Sequence, residues 1–570
     1  MKKAVPVIIA ILLIVVIGAV TLGGILIEKY SYSKERVDLA EYYGLSAEDA
    51  GEWVAVYLQD ERLEEPVPFK DGKCYFSIDM VHQYFNDTFY ADRTEGLLLY
   101  ALPTEVVRVA LGSSIEEKGA STEDLGYVIA YAEDGQIYIA ADYVQRYTNF
   151  SLQYAVNHVQ VYTEWGTATV ATVGKDTAVR VKGGIKSEIL WDVAAGSQVT
   201  VLEQMETWSK VRTEDGYIGY VENKLLENLT EIRETPVTDY AEPEYSSIQL
   251  PGKVSLGWHS IGGVAGNDTL ESMVAGTKGM NVIAPTWYSL SDNEGNFQSF
   301  ASSSYVERAH SMGLQVWGVW DDFNYNNVNQ AGINDYQILS STTIRGRLVE
   351  NIVQEALNLN LDGVNIDFEK VTAECSDHYA QFIRELSIAC RNNGLILSFD
   401  NYVPFNFNDY YRRDIQGKVA DYVIIMGYDE HWHGSGDPGP VASISYVSGG
   451  IDRTLEQVPK EKVVNALPFY SILWTIDGAT VTDEYLLLAN TEDYLRRIGV
   501  EAQWDEETAQ LYAEWTSGTK TYKLWAETEE SIQVKLNVMQ NREIAGVAVW
   551  QISYGTPEAW ELINAYVNAE

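Results

Sequence analysis

Within LDGVNIDFEKV, residues 361–371, three carboxylates (Asp362, Asp367 and Glu369) interrupt a run that otherwise reads as a buried strand. Side chains alternate faces along a strand, which groups Gly363, Asn365, Asp367 and Glu369 on one side and Val364, Ile366 and Phe368 on the other. The apolar face packs, so the polar face must open onto water or onto a reacting molecule. Carboxylates grouped in this way can exchange protons with a substrate or hold Mg2+ for phosphoryl chemistry. The second use calls for a Gly-rich phosphate loop or neighbouring lysines, and the sequence carries neither pattern. A plain half-exposed strand alternates in the same manner, so the flanking elements must decide between them.

From Lys253 onward, short apolar runs alternate with amphipathic, helix-length segments. The expected strands are 253–259, 280–288, 314–320, 361–369, 395–402, 422–429, 463–470 and 545–553. Between them, TIRGRLVENIVQEALNLN and SDHYAQFIRELSIACRNNG repeat apolar residues at three- and four-residue spacing. Strands alternating with helices imply parallel pairing, and about eight such units imply an α/β fold of the TIM (β/α)8 barrel type. The interval 471–524 is long enough for a small inserted subdomain. The acidic segment is then the fourth strand, with Asp367 and Glu369 at the C-terminal end where barrel enzymes keep their chemistry. Barrel mouths also grip ligands with aromatic faces, and Trp287, Tyr288, Trp320, Trp525 and Trp550 fall near expected strand ends. Barrels bury tryptophan in their helix shell as well.

Asp362-Gly363-Val364-Asn365-Ile366-Asp367-Phe368-Glu369 resembles the DGxDxDxE signature of glycoside hydrolase family 18, the chitinase-like family. Met426, Tyr428 and Asp429 in MGYDEHWHGSGDPGPVAS match the family's Met-x-Tyr-Asp, and Trp550 matches its aromatic floor beneath the scissile sugar. APTWYSLSDNEG and YKLWAETEESIQVKL are similar to the branch of bacterial spore and cell-wall N-acetylglucosaminidases. The resemblance implies retaining hydrolysis of β-linked N-acetylglucosamine glycans, peptidoglycan first and chitin-like oligomers second. It implies Glu369 as general acid and base, Asp367 steering the sugar's own acetamido group as nucleophile, and Tyr428 bonding that group's oxygen. Asn365, Met426, Asp429, Trp550, Trp287 and Tyr288 are the implied substrate-binding residues, with no cofactor and no metal. Asn365 departs from the signature, where many members carry Asp. The change implies an Asp367 more easily ionised than beside another carboxylate. The alternative is a lectin-like, non-hydrolytic wall-binding protein on the same barrel; such relatives usually lose the terminal Glu that is present here as Glu369. His431 and His433 would suggest a metal, but two histidines on a Gly-rich loop read as loop residues.

At 570 residues the chain calls for about three or four domains. A net charge of −42 excludes nucleic acid, whose phosphates must be neutralised by Lys and Arg. Lys2 and Lys3 precede an apolar run, residues 4–27, long enough to cross a bilayer. Because that run ends in Leu26-Ile27-Glu28-Lys29 without a small-x-small site, 1–30 reads as an uncleaved anchor with the rest of the chain outside, at the cell wall, and a cleaved signal as the competitor. Three cysteines, Cys74, Cys375 and Cys390, fit neither a disulfide framework nor a zinc site. Residues 31–65 read as a charged stalk and 66–160 as an α+β module loosely similar to the N-terminal domain of copper amine oxidases. Residues 167–227 resemble a bacterial SH3-like barrel, a spacer or a wall-binding module. Residues 228–252 form a linker into the barrel, 253–567.

Overall fold

The computed structural model describes residues 5–46, 51–235, 238, 240–323 and 332–569. These form two compact units. One comprises residues 1–89, 109–116 and 123–242, and the other 90–108, 117–122 and 243–570. Lys2, Lys3 and Ala4 lie outside the described residues.

The first unit begins with a 26-residue apolar helix, Val5–Tyr30, with no buried residue. The segment expected to be a stalk is folded. Arg36 bridges Ile189 in parallel, Ser33 N–H donates to Ile185 O at 2.7 Å, and Tyr43, only 2% exposed, joins the core that holds Val179, Val199 and Val211. Its charge concealed three apolar anchors, Tyr43, Leu45 and Val54, each of which is buried. Strand Trp53–Leu58 likewise belongs to the α+β module, pairing in parallel with His158–Tyr162 in a sheet that also carries helices Ile78–Tyr84 and Ala141–Arg146. The SH3-like part is a seven-stranded antiparallel sheet running from Thr167–Val173 to Leu226–Arg233, six residues beyond the expected end at 227.

The second unit is a closed barrel of eight parallel strands. In chain order they are Val254–His259, Val282–Pro285, Gln315–Asp321, Gly363–Asp367, Ile396–Tyr402, Tyr422–Met426, Val463–Pro468 and Gly546–Trp550, and the last pairs with the first. Helix Ser376–Asn393 turns Tyr379, Phe382, Ile383 and Leu386 onto the strands. It stops at Gly394, whose φ of +70° is the left-handed C-cap conformation that glycine adopts without strain. Between the seventh and eighth strands, Tyr470–Asp477, Thr480–Leu487, Gln503–Asp505, Gln510–Ser517 and Lys520–Ala526 form the expected insertion, an antiparallel five-stranded sheet carrying helix Leu488–Ile498. Residues 90–108 also pack on the barrel, where Asp92 and Glu95 accept hydrogen bonds from the first turn of helix Thr342–Asn358.

Candidate active site

The fourth strand fits its slot because its first residue lacks a side chain. A Cβ on Gly363 would sit 2.8 Å from Trp317 Cδ1 and 2.9 Å from Ile396 O. Of the three carboxylates, Asp362 belongs to the opposite end of the strand, where its Oδ2 accepts from Val316 N–H and pairs with His310 Nε2, both at 2.8 Å. It fastens strands and has no part in the cleft.

The polar face of the strand does open at the C-terminal mouth. Its cleft is lined by Asp367, Glu369, Met426, Tyr428, Asp429 and Trp550, so six of the expected residues meet there. Four others that the sequence reading missed join them: Trp258, Phe323, Asp400 and Tyr402. Asn365 lies directly beneath, fully buried. Its amide donates to Asp400 Oδ1 at 2.8 Å and Ser398 Oγ at 3.0 Å, and its oxygen accepts from Trp258 Nε1 at 3.1 Å. Trp258 meets Trp550 edge to face, with centroids 6.2 Å apart. These partners had a signal, since in LILSFDNY alternation puts Ser398, Asp400 and Tyr402 on one face of the next strand.

Two expected contacts are absent from the cleft. Trp287 and Tyr288 are buried at 1% and 0% exposure. Trp287 donates to Asn267 Oδ1 at 2.8 Å, and Tyr288 stacks on Trp320 with centroids 4.0 Å apart and planes 9° apart. They fill the shell between strand and helix, as Trp320 does; proximity to a strand end does not tell which side of the sheet a ring takes. Trp525 packs on Tyr512 inside the inserted subdomain.

Burial dominates the electrostatics, and the crowding of carboxyl groups adds to it. The Tyr402 hydroxyl donates to Glu369 Oε2, and Tyr470 donates to Asp429. Burial raises the Glu369 carboxyl above the usual carboxylate range; the Tyr402 hydrogen bond opposes this, and Asp429 and Asp321 add to it. Asp367 is pushed well above that range, first by burial and then by Glu369, Asp400, Asp321 and Asp322. The easier ionisation expected from Asn365 is therefore offset. The carboxylate missing at position 365 enters from the neighbouring strand as Asp400, itself raised by burial. Asp367 Oδ1 is buried without a hydrogen-bond partner among the described residues. A cleft with a carboxyl whose protonated form burial favours, an unpartnered acceptor and a tyrosine hydroxyl can protonate a leaving group and take an N–H from a ligand.

Residues 325–555 match the family described as Glycosyl hydrolases family 18, and residues 175–227 match the Bacterial SH3 domain. The cortical fragment-lytic enzyme of Bacillus anthracis is 26% identical over 240 residues, covering 40% of this chain and 54% of that one. The uncharacterized glycosylase YvbX of Bacillus subtilis is 25% identical over 296 residues, covering 50% of this chain and 84% of that one. The crystal structure of the Bacillus cereus spore cortex-lytic enzyme SleL shares the fold at 20% identity, with a TM-score of 0.50 over 57% of this chain and 76% of that one. The chain spans about half the length of several of the curated relatives it matches, 56% in one case and 54% in another.

Proposed function

Because the barrel carries a domain of glycosyl hydrolases family 18, we propose that this chain is a retaining glycoside hydrolase acting on β-linked N-acetylglucosamine glycans, with the nucleophile borrowed from the substrate. The observation that carries the reading is Asp367 Oδ1, a buried acceptor without a partner that faces the same cleft as Glu369. An acceptor in that state costs about 1–3 kcal/mol unless a ligand satisfies it, and the N–H of a 2-acetamido group does so. Glu369, whose protonated form burial favours, gives its proton to the departing glycosidic oxygen as the acetamido oxygen attacks the anomeric carbon. Asp367 then faces the positive charge growing on the acetamido nitrogen, and the Tyr428 hydroxyl bonds the acetamido oxygen. Deprotonated Glu369 next draws a proton from water, which opens the cyclised sugar with retention. Trp550 supplies the apolar floor, with Met426 and Asp429 beside it and Asn365 fixing Asp400 below.

Peptidoglycan is the favoured polymer, with chitin-like oligomers second. Relatives bearing cortex-lytic names support this order, as does an SH3 domain in the same chain. The exposed apolar helix Val5–Tyr30 supports a single-pass anchor with the barrel on the wall side. Digestion of purified peptidoglycan and of chitin oligomers, beside the same polymers after N-deacetylation, tests the reading by mass analysis of products. Cleavage confined to acetylated glycan is expected, with competitive inhibition by a thiazoline analogue of the cyclised intermediate. Efficient cleavage of deacetylated glycan, or a glycosyl ester trapped on a carboxylate, would refute it.

A further inference from the structure

Behind the cleft lies a second pair of acids that the proposed mechanism does not use. Asp322 follows the third strand, Gln315–Asp321, and Asp335 opens the short helix Asp335–Ser340. They are 1% and 8% exposed, and their side chains are hydrogen bonded to each other. A bond between two carboxyl groups needs one proton, since ionised carboxylates only accept. Both oxygens of Asp322 already accept peptide N–H groups: Oδ1 from Glu369 and Oδ2 from Lys370, each at 2.8 Å. That arrangement favours the anion at Asp322 and leaves the shared proton to Asp335. Burial is the largest cause holding the pair's proton above the usual carboxylate range. The shared bond by itself lowers Asp335 and raises Asp322, but at Asp322 each of the two peptide N–H bonds outweighs it. Lys370 also lowers Asp335, while Asp367, Cys375, Tyr379, Tyr402 and Tyr411 face Asp322 from the fourth and fifth strands, the following helix and the neighbouring loops.

We propose that Asp335 is a positioning residue for Glu369: protonated, it donates to Asp322 and so keeps the Asp322 carboxylate where it grips the peptide N–H groups of Glu369 and Lys370. The backbone from which the acid projects is then set by a proton one carboxyl removed from the cleft. Small displacements of a reacting group carry large rate penalties, reaching about a hundredfold for 1 Å. This role rests on the assignment of Glu369 made above.

The test uses the full chain in detergent, with 4-nitrophenyl N,N'-diacetylchitobioside as probe and thermal unfolding followed across pH. Asp335→Ala should lower kcat on the order of tenfold or more with KM little changed. Asp335→Asn, which keeps an N–H donor toward Asp322, should recover most of that loss. The substrate-free readout has a fixed sign. A carboxyl whose folded pKa is raised contributes stability that is present in acid and lost as pH rises through the folded pKa. Wild type should therefore lose stability relative to Asp335→Asn on the alkaline side. Equal kcat in Asp335→Ala and wild type, a loss in Asp335→Ala that Asp335→Asn does not recover, or superimposable pH dependence of unfolding in Asp335→Asn and wild type, would each overturn the proposal. A wild type silent toward the probe, peptidoglycan and chitin oligomers overturns instead the hydrolase reading on which Glu369's role depends, while the unfolding arm still reports on the pair.

Discussion

Asn365 on the fourth strand donates from Nδ2 to Asp400 Oδ1 on the fifth at 2.8 Å, with both side chains buried. The amide thus separates two acids, Asp367 above it and Asp400 beside it, and gives Asp400 a partner that needs no proton.

Replacing that amide by a carboxyl should expose its purpose. In Asn365→Asp the acceptor for Trp258 Nε1 survives, but the donor to Asp400 and Ser398 is lost unless the new group holds a proton. The folded state then binds a proton that the unfolded state releases, so the variant is least impaired in acid and worsens as pH rises. A loss of about 1–3 kcal/mol is expected at neutral pH, measured by thermal unfolding of variant and wild type across pH. A difference independent of pH would sink the idea.

Residues 90–108 predict a second pH effect of opposite sign. Asp92 Oδ2 accepts from Thr342 N–H at 2.7 Å, and Glu95 Oε1 accepts from Thr343 N–H at 2.8 Å, two free donors at the start of helix Thr342–Asn358. Burial pushes both carboxyls up, yet their hydrogen bonds outweigh it and the net shift of each is downward. Their contribution is therefore present above the unfolded pKa and lost as pH falls through the folded one. Asp92→Asn with Glu95→Gln should cost about 1–2 kcal/mol at neutral pH and almost nothing in strong acid. Urea titrations at the two pH values check it, and an equal loss at both would be the wrong answer.

The barrel was legible because its strands are short apolar runs bounded by helical periodicity. Val254–His259, Ile396–Tyr402 and Val463–Pro468 fall within the runs read from sequence. Asp367 and Glu369 were legible from strand alternation and Trp550 from its place at a strand end, whereas Tyr428 was legible through the resemblance to the family's Met-x-Tyr-Asp. Asp400 and Asp322 were not singled out, since their roles depend on register between strands and on a hydrogen bond to a backbone 47 residues away. The segment before residue 66 misled because charge outnumbers the few apolar anchors that dock it. Trp287 and Tyr288 misled because a barrel has two surfaces, and aromatic rings suit both.

The helix Val5–Tyr30 gives a prediction about topology. Its 26 residues at 1.5 Å each span about 39 Å, more than a bilayer core. The full chain should sediment with membranes, and protease added outside wall-stripped cells should release the barrel. Mature protein in the medium beginning after residue 27 would show a cleaved signal instead.

Glu369→Gln is the sharpest test of the cleft. Gln keeps the size and an amide able to meet the Tyr402 hydroxyl, so folding and binding of a thiazoline analogue should persist. It has no proton to give the glycosidic oxygen, and general acid catalysis is typically worth about 10² to 10⁴ in rate. Turnover of acetylated oligomers should fall by at least that lower factor with KM little changed, because the lost interaction acts in the transition state. Asp367→Asn provides the contrast. It removes the negative charge that faces the cyclised group and puts an N–H donor in place of one of the two acceptor oxygens, so binding of the thiazoline analogue should weaken along with turnover. Steady-state kinetics and calorimetric titration of both variants separate the two roles. A Glu369→Gln enzyme that turns over acetylated oligomers near the wild-type rate would move the acid to another residue.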